Sequence, residues 1–196
     1  MSPSLRIAVA DDELDMREYF QKLLLRLGHH VVGTASNGRE LLELCRKELP
    51  DLVITDIKMP DMDGIDAAVQ IYQERPVPFI LVSAFHDPEL IARAEADHIL
   101  GYLVKPIKPV DLEPMIALAA RRFEQFQTLQ REAANLRQAL EDRKIIERAK
   151  GILMKKAGLD EHDAFRRLQK LASDKNRKLV EIATMILTAE EAFGPG

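Results

Sequence analysis

Apolar positions follow two different rhythms along the 196-residue chain. Through the first 120 residues, short apolar runs (LRIAVA, HVVGTA, DLVIT, FILVS, GYLV) alternate with stretches of helical spacing. In DELDMREYFQKLLLRLG, Leu14, Phe20, Leu24 and Leu27 recur at helical intervals, and Gly28 follows as a stop. Strand alternating with helix predicts an α/β domain: a doubly wound parallel sheet with helices on both faces. Five strands and five helices fit this length.

Beyond residue 120 the rhythm is helical only, and no Gly-, Pro- or Ser-rich linker intervenes. Phe126, Leu129, Ala133, Leu136 and Leu140 are spaced 3-4-3-4, the seam of a coiled coil. No other nearby sequence offers cover for that seam, which favours dimerisation over packing on its own domain. The remainder divides into three short helices. Gly158 should stop the first, Asp160 should cap the second and Asn176 the third. Ala164, Phe165, Leu168, Leu171 and Ala172 share one face of the second; Leu179, Ile182, Ala183, Ile186 and Leu187 share one face of the third. None would be stable alone, but together they can close a small three-helix bundle. The expected organisation is an α/β domain over 1–120, a helical coiled-coil linker over 121–142 and a three-helix domain over 143–196.

Charge sharpens this division. Residues 1–120 hold 12 Lys+Arg and 20 Asp+Glu, a net of −8, whereas 121–196 hold 16 and 12, a net of +4. Within 143–178 there are 12 basic and 5 acidic residues, a net of +7. Such a split implies two domains with different partners. On the first helix of the bundle, Ile145, Ile146, Ala149, Ile152 and Leu153 form the buried face. Lys144, Arg148, Gly151 and Lys155 make a stripe nearly opposite, flanked by Arg143 and Lys150. A mid-helix Gly costs about 1 kcal/mol relative to Ala. In a basic stripe it would let a polyanion's backbone come close. A solvated face with a tolerated Gly is the plainer reading of the same spacing. No apolar run approaches the roughly 18 residues of a membrane span, and the N-terminal segment meets acid too soon for a secretory signal. The lone Cys45 excludes a disulfide framework and a Cys-based metal site. The simple expectation is a cytoplasmic protein without membrane contact.

The strand ends of the first half carry the chemistry. Strand 1 ends in Asp11-Asp12, strand 3 in Asp56, strand 4 in Ser83 and strand 5 in Lys105-Pro106. In an open α/β sheet the carboxyl ends of the strands form the binding crevice. Clustered carboxylates there want a divalent cation, and oxygen ligands with open water positions suit Mg²⁺. Asp12 could alternatively be only the N-cap of the helix that follows.

VADDE, DLVITDIKMPDMDG, LVSAF and GYLVKP closely resemble the receiver domain of two-component response regulators, over residues 5–120. The resemblance implies a flavodoxin-like fold. It also implies that Asp56 accepts a phosphoryl group from a sensor histidine kinase. Asp11 and Asp12 would hold Mg²⁺ with Asp56 and the backbone carbonyl of Lys58. Ser83 and Lys105 would bind the phosphoryl oxygens, Tyr102 would be the switch aromatic and the Pro60–Gly64 loop would wall the site. One departure is that His98 and Ile99 stand where receivers usually carry a Gly-Ala pair, which bears on the output face. Residues 139–188 resemble the ANTAR domain, through Ala149-Lys150-Gly151, the Ala164-Phe165 pair and the Asn176…Leu179…Ala183 pattern. That resemblance implies binding to RNA hairpins in a nascent leader transcript, so that RNA polymerase reads through a terminator. The expected RNA-contacting residues are Lys144, Arg148, Lys150, Gly151, Lys155, Asn176 and Arg177. Phe165 lies at core spacing, so recognition is expected to rest on backbone shape and cations rather than on an aromatic ring. A DNA-binding or a protein-binding helical output domain is the alternative. An enzyme is not expected, since no second nucleophile–base set accompanies the phosphoacceptor.

Overall fold

The computed structural model describes residues 3–84 and 99–193. Contacts divide the chain into two compact units, Met1–Gln127 and Thr128–Gly196. The first contains β1 (Arg6–Ala10), α1 (Leu14–Arg26), β2 (His30–Ala35), α2 (Gly38–Glu48), β3 (Leu52–Asp56), α3 (Gly64–Glu74), β4 (Phe79–Ser83) and β5 (Ile99–Val104). Helix α4 (Pro109–Ala157) begins in this unit, and its second half belongs to the other, which adds α5 (Glu161–Asp174) and α6 (Leu179–Phe193). The helix expected between strands 4 and 5, with His98, lies outside the described residues; Ile99 opens β5.

All four strand pairings are parallel, in the order β2-β1-β3-β4-β5. The order reverses at β1, which has β2 on one side and β3 on the other. Binding crevices form at such a switch point, beyond the carboxyl ends of the strands. Both sheet faces are covered, which explains the continuous apolar runs. Ile7, Val9, Leu52, Ile54, Ile80 and Val82 pack against Phe20, Leu23 and Leu24 of α1 and Leu112 and Ile116 of α4. The alternate residues Ala8, Ala10, Val53 and Phe79 pack against Leu41 and Cys45 of α2 and Ala67, Ala68 and Ile71 of α3. The Cys45 thiol is buried, and burial pushes its pKa up to about 12. Leu14 departs from the expected stripe. It is the first residue of α1 and is 60% exposed, while Leu23 takes the inward position.

The second unit closes around Ala149, Leu168, Ile182 and Ala183, with Ile145, Ile146, Leu153, Leu171, Leu179 and Ile186 packed at the edges. Gly158 (φ 65°) ends α4, and Asp160 caps α5 by accepting from the Asp163 N–H at 2.7 Å. The expected cap at Asn176 is corrected. Asn176 sits at φ 50° and terminates α5, where its N–H reaches the Ser173 carbonyl and the Arg177 N–H reaches the Ala172 carbonyl. This pair of bonds is a Schellman ending, in which Asn tolerates the left-handed residue better than most side chains. The Lys178 carbonyl takes the first bonds of α6 instead, from Glu181 and Ile182. Phe165 is corrected too. At 36% exposure it is the rim of the bundle, whereas Ala164 and Leu168 beside it are fully buried.

Candidate functional site

Two features of the chain bring the strand ends close together. Glycine at position 64 is the first. A Cβ there would lie 2.0 Å from the Asp56 carbonyl oxygen, so only Gly lets α3 start this close to the end of β3. Its N–H donates to the Ile57 carbonyl at 2.9 Å, and Asp63 caps α3 by accepting from the Asp66 N–H at 2.8 Å. The second is the turn after β1. There the Asp11 N–H donates to the Ala35 carbonyl at 3.1 Å, and Asp11 Oδ1 accepts from the Glu13 N–H at 3.0 Å. Arg17, on the next turn of α1, donates from one guanidinium nitrogen to the carbonyls of Asp11 (2.7 Å) and Asp12 (3.0 Å).

Lys105 ties these ends together. Its Nζ lies 2.9 Å from Asp11 Oδ2, 3.2 Å from Asp56 Oδ2 and 3.6 Å from Glu13 Oε1. Asp11 and Asp56 are both buried, and Asp56 Oδ1 accepts from the Ile57 N–H at 2.7 Å. Burial raises the Asp56 pKa, with the neighbouring Asp11 adding to it and Lys105 opposing. Burial works against the Lys105 ammonium, but its bonds to Asp11 and the charges of Asp56 and Asp11 outweigh that, and its pKa is raised. The strand ends therefore hold one ammonium against two buried carboxylates, with Lys105 and Asp56 shifting each other's ionisation.

Of the residues expected here, Asp11, Asp56 and Lys105 are brought into direct contact. Asp12 is exposed beside them and does not cap α1, whose N-cap position is Glu13. Ser83 is buried at the end of β4, with its carbonyl accepting from the Lys105 N–H at 2.8 Å. Tyr102 is half-buried against Ile57, Ile65 and Leu81. The Lys58 side chain is exposed. Glu13 and Arg17 were not anticipated. Glu13 was within reach of the sequence as the third acid of Asp11-Asp12-Glu13. Arg17 left no signal, because capture of a backbone carbonyl follows no spacing rule. Carboxylate oxygens of Asp11, Asp12 and Glu13 lie within 4.8 Å of one another. Such hard oxygen donors fit Mg²⁺.

The second unit presents its cations less simply. Lys144, Arg148 and Lys155 are exposed, and a Cβ added at Gly151 would meet nothing within 4 Å. Lys144 pairs with Glu141 at 2.6 Å, and Arg148 stands 3.9 Å from Glu191. Lys156 pairs with Glu190. Lys150 does not flank the stripe as expected. Its side chain is 9% exposed and its Nζ is held by Glu147 (2.8 Å) and Glu161 (2.7 Å), which joins α4 to the start of α5. Those bonds raise its pKa. Asn176 and Arg177 are exposed, with Arg177 3.9 Å from Glu181. On the seam, Leu129, Ala133, Leu136 and Leu140 are exposed, Leu136 by 67%, and Phe126 is half-buried.

Residues 7–117 match the response regulator receiver domain, and residues 134–187 match the ANTAR domain. The chain belongs to the response regulators, with a receiver domain followed by an ANTAR domain. The transcriptional regulatory protein PdtaR of Mycobacterium tuberculosis is 41% identical over 182 residues, which span 93% of this chain and 89% of that protein. Among solved structures, a response regulator receiver domain protein from Clostridium thermocellum superposes with a TM-score of 0.57 at 31% identity, over 62% of this chain and 98% of that one. The response regulator PhyR from Brucella abortus gives 0.58 at 30% identity, over 67% of this chain and 54% of that one. Among the described residues no helix is long and apolar enough to cross a membrane.

Proposed function

We propose that the chain is a phosphorylation-activated antiterminator: Asp56 takes a phosphoryl group from a sensor histidine kinase, and the ANTAR domain then binds hairpins in nascent leader RNA. The observation that carries the first half is Lys105 Nζ set between Asp11 Oδ2 and Asp56 Oδ2 at the switch point of the sheet. An Asp56 oxygen attacks the phosphorus of a phosphohistidine; the P–O bond forms as the P–N bond breaks, and the imidazole leaves. Mg²⁺, held by Asp11, Asp12, Asp56 and the Lys58 carbonyl, would supply charge neutralisation on the transferred group. Lys105 and Ser83 would hold its oxygens. Arg17 would hold the Asp11–Asp12 turn in place from behind, through the two carbonyls, without touching the transferred group.

The exposed seam supports dimerisation of the phosphorylated chain, since Leu129, Leu136 and Leu140 have no cover of their own. A coiled coil would bury them. RNA held by the second domain would keep the terminator hairpin from forming, and RNA polymerase would read through. Incubation with acetyl phosphate and Mg²⁺ followed by mass-spectrometric mapping tests the acceptor: label on Asp56, none in Asp56→Asn. Label persisting in that variant removes the assignment. Light scattering of Leu136→Glu under the same conditions should show a folded monomer; a dimer equal to the parent's would place the interface elsewhere. Sequencing RNA that co-purifies with the full chain, against duplex DNA as competitor, tests the output.

A further inference from the structure

Phe165 stands apart from the rest of the bundle. It is a large apolar side chain on a helix whose neighbouring Ala164 and Leu168 are fully buried, yet more than a third of it faces solvent. Within the second unit it is the one aromatic ring among the described side chains. Its exposed arc on α5 is polar and basic. Glu161, His162 and Gln169 lie one turn away, Arg166 and Lys170 continue round the open side, and Arg167 lies beyond them on the far side, all of them exposed. Arg166 spends part of its charge on Asp163 at 3.3 Å. Arg167 and Lys170 have no carboxylate within ion-pair distance among the described residues. A ring at one edge of an open arc that carries cations, in a segment of net charge +7 over 143–178, has the composition of a single-strand nucleic-acid platform: the base stacks, and the strand runs on across the cations.

We infer that Phe165 is the stacking platform for one unpaired base of an RNA loop, with the strand running on across Arg166 and Lys170 on the open arc of α5. This rests on the RNA reading above and adds a place and a form to it. A duplex stem offers no free base face, so the platform selects loop over stem. It acts through stacking rather than through an edge-reading hydrogen bond, so it tolerates more than one base. Cations of the stripe on α4 would be indifferent to that distinction, because phosphates run along stem and loop alike.

The test uses the full chain after incubation with acetyl phosphate and Mg²⁺. It is titrated with a pool of RNA hairpins sharing one stem and carrying randomised loops, and separately with that stem closed as a blunt duplex. Phe165→Leu keeps an apolar side chain without the ring and should lower affinity for the loop pool by about 5- to 100-fold, the loss expected for one stacked base. Affinity for the duplex and the salt slope should stay unchanged, because no charge is removed. Phe165→Trp should restore loop binding, and circular dichroism should show both variants folded at the temperature of the titration. Equal loop affinity for Phe165→Leu and the parent overturns the platform while leaving RNA binding in place, and assigns the ring to a protein surface or to solvent. An equal loss on loop and duplex also overturns it, by reducing Phe165 to a structural residue. Failure of the parent to bind either RNA overturns the RNA reading itself.

Discussion

The receiver site and the ANTAR surface differ in where they keep their charge. In the receiver, Asp11 and Asp56 are buried, and Lys105 is ion-paired with both within 3.2 Å. Buried ionised groups are tolerated only when paired, so their positions are dictated by the fold around them. In the second unit most charge is at the surface, where pairs contribute little and rearrange freely. Position along the sequence therefore locates a receiver residue in space, but in the ANTAR unit it does not say which cations are free to meet a ligand. Lys150 and Lys155 are five residues apart on one helix. The first is clasped by two glutamates, and the second is open.

The comparison breaks most sharply at Gly64. Gly64→Ala puts a carbon against the Asp56 carbonyl, and the strand end or α3 must give way. We expect a loss of at least about 2 kcal/mol from the first unit together with slower labelling by acetyl phosphate, measured by chemical denaturation and mass spectrometry. Gly151→Ala is its counterpart in the second unit. With open space around it, the helix should gain up to about 1 kcal/mol. If Gly64→Ala proves neutral, the receiver site is more pliant than its geometry implies.

A smaller effect separates the two lysines. Lys150→Gln unclasps Glu147 and Glu161 and should lower the unfolding midpoint of the second unit, with the salt slope of RNA binding unchanged. Lys155→Gln should leave unfolding alone and reduce that slope by roughly 0.7 to 0.9, one phosphate contact. Reversed outcomes would mean that Lys150 leaves its carboxylates for the ligand.

The smallest expected effect is a pH dependence confined to the receiver. Burial lowers the His29 pKa, opposed by Glu113, and His29 Nδ1 accepts from the Leu5 N–H at 3.3 Å, so the neutral ring is favoured in the fold. The unfolded chain takes up a proton near the ordinary value of 6.5. The stability held by neutral His29 is therefore full above pH 6.5 and lost as pH falls from there toward the folded pKa. His29→Asn, which keeps an acceptor and cannot titrate, should flatten denaturation midpoints across that range. An unchanged slope would assign the dependence to other groups.

These contrasts also explain what the sequence made legible. The parallel sheet and the meeting of Asp11, Asp56 and Lys105 at one edge could be read from apolar runs ending in charge, because a parallel sheet buries both faces and opens its chemistry at the strand ends; the strand order could not. The core of the small bundle was legible for the same reason. Lys150, Phe165 and Asn176 were misplaced because each sits at a boundary. Helical spacing gives an angle around the helix, but not which neighbour reaches that angle. Phe165 is one residue from a fully buried Ala, and only packing against α4 and α6 decides which of the two faces inward. Asn176 lies between two helices and can serve either; the left-handed turn needed to end α5 took it.

Cys45 supplies a clock. The chain carries a single thiol, closed between α2 and α3, with its ionisation pushed far above neutral pH. Only the thiolate reacts with alkylating reagents, so labelling waits for the receiver to open. Its rate is then a direct readout of how often that unit opens, before and after incubation with acetyl phosphate and Mg²⁺. The second unit, which has no cysteine of its own, stays silent, so one introduced at an exposed position there would be modified at once and the two could be timed apart in the same tube.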